Sequence, residues 1–332
     1  MNYYKYVDIL KYISQENSST LFSLAELLGI TQKDLFLYVQ ELRSYGCPLG
    51  INKDKTITLL RSLDAYNHDQ ILYEISSELN IKDIELAIFL SLSSSNTHLK
   101  SLPCKESKIQ ACLVEHQTEG RGRRGKSWVS PFGANIYLSI RKKIQVSPKE
   151  SGCASLIVGL AVISALESMG YYGMEIKWPN DIYFQGKKLA GVLIEAVSVK
   201  VNSVELVVGI GLNINMSQDA SKHIDQPWID LYQMSSKKPP SRNEVAVALI
   251  TNINSNLALF EVAGLAAFLN DWTQYDYLNG KTITVKQEQV EVYGKAMGIN
   301  EQGELLVSSD NEILAVNAGE VSVRLLLSSN CE

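Results

Sequence analysis

The chain has 332 residues, 45% of them hydrophobic and 20% charged, with a formal net charge of −5. That length holds two or three domains with cores of their own, and the acidic balance excludes a global basic field, so any contact with nucleic acid has to be local. Five dispersed cysteines and four histidines show no ligand spacing and no Cys-x-x-Cys, which excludes a disulfide framework or structural metal and points to a reducing, cytoplasmic setting.

Residues 1–62 read as a compact helical unit. Tyr3, Tyr6, Val7, Leu10 and Ile13 recur at helical spacing. Ser23 to Leu28 makes a short helix closed by Gly29, and Thr31 is placed to cap a second helix from about Gln32 to Tyr45. Leu35, Val39 and Leu42 form its apolar face, and Gly46-Cys47-Pro48 stops it. Leu49–Leu60 alternates as a small hairpin around Asn52-Lys53-Asp54-Lys55. Helix, glycine turn, helix and hairpin describe a winged helix-turn-helix.

From about Tyr66 to Trp272 the pattern is mixed. Strands are expected over Ala87–Leu92, Ile109–His116, Asn135–Arg141, Met174–Lys177, Leu189–Val197 and Leu206–Asn213. Helices are expected near Asp69–Ser77, Ser155–Met169 and Arg242–Phe260, the last capped by Ser241. Short turns such as Val199–Ser203 favour a mixed, largely antiparallel sheet with helices on one side, hence an α+β protein. After Gly280, short strands over Thr282–Val285, Val290–Ala296, Glu304–Val307 and Glu312–Val316 suggest a small SH3-like barrel. The expected division is 1–62, 66–275 and 276–332. No internal repeat, signal-like leader or run of about 18 uncharged apolar residues is visible, so no membrane span is expected.

Two stretches carry the chemistry. Gly120-Arg121-Gly122-Arg123-Arg124-Gly125-Lys126-Ser127-Trp128 sets four cations among three glycines. Glycines let backbone approach a ligand closely, and amides with guanidinium forks suit a phosphate chain or carboxylate. The run sits between apolar segments, which argues for an ordered loop. The second stretch is Lys177-Trp178-Pro179-Asn180-Asp181, where the indole is expected to pack and the proline to fix a turn.

These two blocks occur in order with Ser130-Pro131-Phe132-Gly133-Ala134-Asn135, Lys187-Lys188-Leu189-Ala190-Gly191-Val192-Leu193-Ile194-Glu195 and Gly209-Ile210-Gly211-Leu212-Asn213. The series closely resembles biotin–protein ligases over nearly the whole chain. With the helical unit in front, it looks like the bifunctional kind that is also the biotin operon repressor. The resemblance implies ATP-dependent conversion of biotin to biotinyl-5′-adenylate, then transfer to a lysine of the biotin carboxyl carrier protein of acetyl-CoA carboxylase. Magnesium is expected with the nucleotide.

By the same resemblance, Arg121 and Arg123 fold over biotin and the adenylate, Arg123 being the main stabiliser, and Lys188 reaches the carboxylate and phosphate. Ser94, Ser95, Asn96 and Gln117 fall where the family reads the ureido ring; Ser95 departs from the usual threonine but keeps its hydroxyl. Gly120, Gly191, Gly209 and Leu193 complete the biotin side, with Gly211 set aside as a possible simple strand glycine. Arg124, Asn180, Asn213 and Trp228 fall on the nucleotide side, Trp228 having ordinary core as its alternative. Asp181 either orients or deprotonates the acceptor lysine or supports metal or turn geometry. Glu320 and Arg324 fall where the family faces its central domain.

The repressor half has less behind it. Residues 1–60 carry six cations and six acids, without the excess that phosphate contacts usually require. Gln32 or Lys33 is placed to read base edges, and Lys53 and Lys55 to touch backbone. The resemblance implies a homodimer through the central sheet when the adenylate is bound, with operator DNA as partner. Alternatives are a ligase with a vestigial DNA-binding unit, a lipoate–protein ligase, and a ligand-sensing DNA-binding protein without catalysis.

Overall fold

The structure, a computed structural model, describes residues 3–16, 18–103, 105, 108–222, 224–235, 238–287, 290–310, 312–318 and 321–325. Glu320, His223, Cys104 and Cys331 lie outside the described residues.

The N-terminal elements are α1 (Tyr3–Glu16), β1 (Ser18–Thr20), α2 (Leu21–Leu27), α3 (Gln32–Ser44), β2 (Leu49–Ile51) and β3 (Thr56–Leu59). Thr20 and Thr31 cap α2 and α3 by accepting from the amides of Ser23 and Asp34, each at 3.1 Å. The apolar stripes then meet: Tyr6, Ile9, Leu10 and Ile13 of α1 pack with Leu24, Leu35, Val39, Leu42 and Ile57. The strands pair in the order β1-β3-β2. Leu90 and Phe132 of the following region are seated in this same core.

The central region runs α4 (His68–Ile75), β4 (Ile84–Leu92), α5 (Ser95–Ser101), β5 (Ile109–Gln117), β6 (Asn135–Ile144), α6 (Ala154–Glu167), β7 (Met174–Lys177), β8 (Asp181–Phe184), β9 (Lys187–Lys200) and β10 (Ser203–Asn213). Short α7 (Gln218–Ser221) and α8 (Leu231–Ser235) precede α9 (Arg242–Ala263) and α10 (Leu269–Tyr275). Seven strands form one sheet in the order β4-β5-β6-β10-β9-β8-β7, and only β4 with β5 is a parallel pair. Ile136, Leu138 and Ile140 of β6 and Leu206, Val208, Ile210 and Leu212 of β10 share one core with α6 and α9. The stretch Glu150–Glu167, which contains α6, and α9 are long and apolar enough by composition to cross a membrane, although neither is free of charged residues; in the fold α6 and α9 bury that surface on each other and on the sheet.

The expected placement of helices on one side holds for α6 and α9 and fails for α5. Leu99 of α5 packs with Cys112, Val114 and Val207, whose side chains leave the opposite face of the sheet. Ser94 starts α5 by accepting from the Thr97 amide. Arg141 ends it, donating to the carbonyls of Leu99 and Leu102 while paired with Glu205 at 2.8 Å. Free carbonyls at a helix end favour such a cation.

The last strands are β11 (Thr282–Gln287), β12 (Val290–Ile299), β13 (Leu305–Ser309), β14 (Glu312–Val316) and β15 (Val321–Leu325), an antiparallel five-stranded sheet in the order β14-β13-β12-β11-β15. Its final strand was not among those expected from sequence. Trp178 is buried and its indole nitrogen donates to the Gly303 carbonyl at 3.0 Å, tying this sheet to the central one.

A buried ion pair ties the N-terminal unit down. Glu115 of β5 is wholly buried and meets Arg242, the first residue of α9, at 2.7 Å. The other Glu115 oxygen accepts from the Tyr66 amide at 3.1 Å and the Tyr3 hydroxyl at 3.3 Å. Arg242 also donates to the carbonyls of Asp64 and Asn135, and its guanidinium lies 4.0 Å from the Tyr66 ring centre. Burial works against this cation, but Glu115 and Tyr66 outweigh it and hold its pKa above the ordinary value. Replacing Arg242 with methionine strands a buried carboxylate, so stability should fall by about 3–5 kcal/mol, read as an earlier urea midpoint; adding Glu115→Gln should restore part of the loss.

Candidate active site

The side chains on the α5 face of the sheet are missing where a ligand would need space. Strand pairing sets Ser139, Gly209 and Leu193 side by side, and in the next row Tyr137, Gly211 and Gly191. Residues two apart on a strand share a face, so three glycines floor one hollow. A Cβ on Gly209 would lie 2.4 Å from the Asn96 side-chain oxygen, and one on Gly211 would lie 2.3 Å from the Trp128 ring. No other residue fits either place without moving what covers it.

The wall over Gly209 comes from the start of α5. Gln117 accepts through its amide oxygen from the backbone amide of Ser95 at 2.9 Å and from its hydroxyl at 3.1 Å. Its own NH₂ donates to the Ser130 hydroxyl at 3.1 Å. The Ser139 hydroxyl lies 2.7 Å from Ser95 Oγ and 2.6 Å from Asn96 Oδ1. Ser94, Ser95, Asn96, Gln117, Gly191, Leu193 and Gly209 all line this first cavity. A small set of fixed donors and acceptors on a partly apolar hollow suits a compact polar ring.

The cationic loop is a closed hairpin. Trp128 N donates to the Gly120 carbonyl at 2.8 Å and Gly122 N to the Lys126 carbonyl at 2.7 Å. Arg124 and Gly125 turn it with φ of 57° and 70°. Arg121 pairs with Glu195 at 3.2 Å. Arg123 donates to Asn180 Oδ1 at 3.1 Å and to the Ala318 carbonyl, so the loop reaches the last domain. Burial lowers the Arg123 pKa from its ordinary value, against the pull of Asp181. A guanidinium stays charged regardless, and a partly desolvated one acts more strongly on a nearby anion.

Lys188 Nζ stands 2.9 Å from Asp181 Oδ1 and 5.3 Å from the Trp128 ring centre. Nearby Lys177 sits 5.3 Å from the Tyr183 ring centre, and burial lowers its pKa. The backbone of Lys188 is zipped to the segment around Trp228: its amide donates to the Pro227 carbonyl and its carbonyl accepts from Ile229, both at 3.0 Å. Asn213 fixes that segment from β10, donating to the Ile229 carbonyl at 3.1 Å. Gly125, Lys126, Trp128, Asn213, Ile224 and Trp228 line a second cavity here. Lys188 and Trp128 line both cavities.

Arg121, Arg123, Asn180, Asp181 and Lys188 are therefore brought together at the first cavity, and Asn213 and Trp228 at the second. Trp228 is half-buried at a cavity wall, not a core residue. Two expected site residues fall elsewhere. Arg124 is exposed on the outer side of the hairpin because the turn points it outward, and Gly120 lies at the hairpin base beside it. Arg324 is exposed on β15, near enough to Lys177 to oppose its charge. Gln32, Lys33, Lys53 and Lys55 are all exposed, at the start of α3 and in the β2–β3 turn. Sequence reasoning passed over Trp128, Ser139, Glu195 and Gly211. The period-2 spacing of Gly209, Gly211 and Asn213 was the available signal for the last; nothing local marked the others.

Comparison with known proteins identifies the family. Residues 89–213 match the model of the biotin/lipoate A/B protein ligase family, and residues 279–324 that of the biotin protein ligase C-terminal domain. The bifunctional ligase/repressor BirA of Escherichia coli is 32% identical over 301 residues, 91% of each chain. The biotin–[acetyl-CoA-carboxylase] ligase of Mycobacterium tuberculosis is 29% identical over 246 residues, 71% of this chain and 88% of that one. Among solved structures, the biotin protein ligase from Aquifex aeolicus in complex with biotin and ATP is 30% identical, with a TM-score of 0.63 over 73% of this chain and 99% of that chain.

The glycine floor predicts its own test. Gly211→Ala should expel the Trp128 ring, raising the fraction of tryptophan fluorescence open to acrylamide quenching. Overpacking of this kind should cost about 1–3 kcal/mol, so the fold should survive.

Proposed function

The chain belongs to the biotin/lipoate A/B protein ligase family, and on that premise we propose that it is a biotin–protein ligase that also represses transcription in response to biotin. The observation that carries the enzymatic reading is the pair of cavities sharing Lys188 and Trp128. A vitamin in the first and a nucleotide in the second would bring a carboxylate and an α-phosphate together at one ammonium.

In the first step a biotin carboxylate oxygen attacks the α-phosphorus of ATP. The new bond is carboxylate O–P, the broken one is the P–O bond to the β-phosphate, and pyrophosphate leaves with the electron pair. Two anions must meet, and Lys188 with Arg123 offsets their repulsion and the charge that grows on phosphate oxygens. In the second step a neutral lysine amine of the carrier attacks the acyl carbon and AMP departs. Asp181 stands beside Lys188, placed either to orient that amine or to take its proton. Ser94, Ser95, Asn96 and Gln117 hold the ureido ring, Leu193 and Trp128 flank the apolar part of the vitamin, and Trp228 covers the adenine.

Magnesium would enter with the triphosphate. Among the described residues no three His, Cys, Asp or Glu side chains gather to hold a metal. Asn180 and Asp181 are the oxygen donors offered at the phosphate side, with phosphate and water supplying the remainder.

The division into 1–62, 66–275 and 276–332 follows the three sheets, and we read the first unit as a winged helix-turn-helix and the last as an SH3-like barrel. Gln32 and Lys33 are free to enter a groove. Exposed Phe36 and Leu37 beside them offer apolar contact to thymine methyls. Lys53 and Lys55 on the wing would meet phosphates. Beyond Gly191, β9 has no β8 partner, and this open edge supports a dimer through the central sheet with the adenylate bound. The carrier protein would compete for the same edge. Cys47, Cys112 and Cys153 are free and buried, as suits the cytoplasm.

Labelled biotin should pass to a biotin carboxyl carrier domain only when ATP is present, with pyrophosphate released; lipoyl-adenylate formed in place of biotinyl-adenylate would overturn the substrate. Arg123→Ala and Lys188→Ala should each slow adenylate formation by about 10²-fold or more. With biotin and ATP, the protein should shift its own upstream DNA, and each of Lys33, Lys53 and Lys55 replaced by alanine should reduce the salt slope by about one where it meets a phosphate.

A further inference from the structure

Besides Asp181, a second acid stands among the cations of the vitamin side. Glu195 leaves β9 opposite Val207, one row beyond the glycine floor. Its side chain is 16% exposed and holds three donors. Lys100 Nζ lies 2.8 Å from Oε1 and Arg121 Nη1 lies 3.2 Å from the same oxygen. The Asn96 amide donates to Oε2 at 3.1 Å. Burial works against this charge, yet the bonds from Lys100 and Asn96 and the charge of Arg121 bring its pKa below the ordinary carboxylate value.

The placement joins two parts of the site. Asn96 Oδ1 already accepts from Ser139, so with Glu195 on its NH₂ the amide is fixed in one orientation over Gly209. Arg121 is the first cation of the hairpin, forms a bridge across it to Ser127 and is half exposed; its ion-pair partner among the described residues is Glu195. Glu195 thus joins the wall of the vitamin cavity to the closed hairpin: Oε2 takes the Asn96 amide, Oε1 takes Lys100, and Arg121 lies 3.2 Å from Oε1 and 3.5 Å from Oε2.

We propose that Glu195 is a positioning residue that latches the cationic hairpin through Arg121 and sets the Asn96 amide for the vitamin ring. The inference rests on the biotin reading for its kinetic consequence and on the geometry alone for the latch. A carboxylate presents two acceptor oxygens and no proton; a glutamine presents one acceptor and an NH₂. After Glu195→Gln the single oxygen can serve Asn96 or the two cations, and the NH₂ meets a donor on the other side. Size is preserved and the bonding is not.

Two measurements on the full chain test this. In ligand-free protein, trypsin should cut after Arg121, Arg123 or Arg124 at least about fivefold faster in Glu195→Gln than in wild type, because a hairpin that opens more often is cut more often. In adenylate formation, the KM for biotin should rise about tenfold, with the KM for ATP within about twofold. Glu195→Asp, which keeps both oxygens, should fall between the two. Arg121→Ala should accelerate cutting after Arg123 and Arg124 by a similar factor, and combining it with Glu195→Gln should add little. Cutting rates and biotin KM both within about twofold of wild type, or effects of the two substitutions that multiply independently, would overturn the latch. If Glu195→Gln does not fold, Arg121→Ala decides: a wild-type cutting rate after Arg123 and Arg124 overturns the proposal. A wild-type protein that forms no biotinyl-adenylate refutes the enzymatic reading instead, while the cutting rates still decide the latch.

Discussion

The two faces of one sheet are built for opposite purposes, and the rest of the structure follows from that constraint. Alternate residues of β6 and β10 give α6 and α9 a continuous apolar surface. The residues between them, on the other face, are mostly glycine or polar: Asn135, Tyr137, Ser139 and Arg141 on β6, with Gly209 and Gly211 on β10. Because side chains alternate, one strand can supply a core and a hollow at once. The hollow then needs walls. Arg141 holds the end of α5, whose start supplies the polar wall, and the Trp128 ring lies where Gly211 lacks a side chain.

Charge is arranged by the same logic. Every cation placed over the hollow has a partner before any substrate arrives: Arg121 with Glu195, Lys188 with Asp181, Arg123 with Asn180 and the Ala318 carbonyl. Cations crowded without partners would repel one another and pull the loop away from the sheet. Anchored ones are oriented beforehand, so the reaction does not have to spend binding energy on ordering them. The last domain takes part through Ala318 and through the Trp178–Gly303 bond. The N-terminal unit takes part differently. It is moored by the buried pair of Glu115 and Arg242, and Arg242 begins the helix that follows the Trp228 segment. Asn135 accepts from the Ile214 amide through its side chain and from Arg242 through its carbonyl. Asn135 thus links the mooring to the end of β10, where the neighbouring Asn213 holds the Trp228 segment.

Much of this was legible in the chain itself wherever a rule is local. Thr31 capping α3, the Ser241 cap of α9, the hairpin after Pro48 and the alternation of β6 and β10 are all decided by neighbours in sequence. So was the cationic loop, because glycine and charge at such density suit an anion; Lys188 was placed by resemblance. The polar wall was placed only by resemblance, since Ser94, Ser95 and Asn96 by themselves look like any loop. That a helix, α5, starts there and covers the other face of the sheet was not expected, for a related reason. A helix of seven residues has too few turns for its apolar side to announce which surface it covers.

The amino-acid sequence alone determined most of the longer elements, the inventory of charges and the residue types of the site, since helix caps, strand alternation and glycine's missing side chain act over a few residues. Tertiary structure decided the pairings: Arg121 with Glu195, 74 positions away, Arg242 with Glu115 across 127, and Trp128 over Gly211. Such partners are chosen by which strands lie side by side and which face each side chain leaves. No local spacing records that choice, because it is made only when the sheet closes around its core.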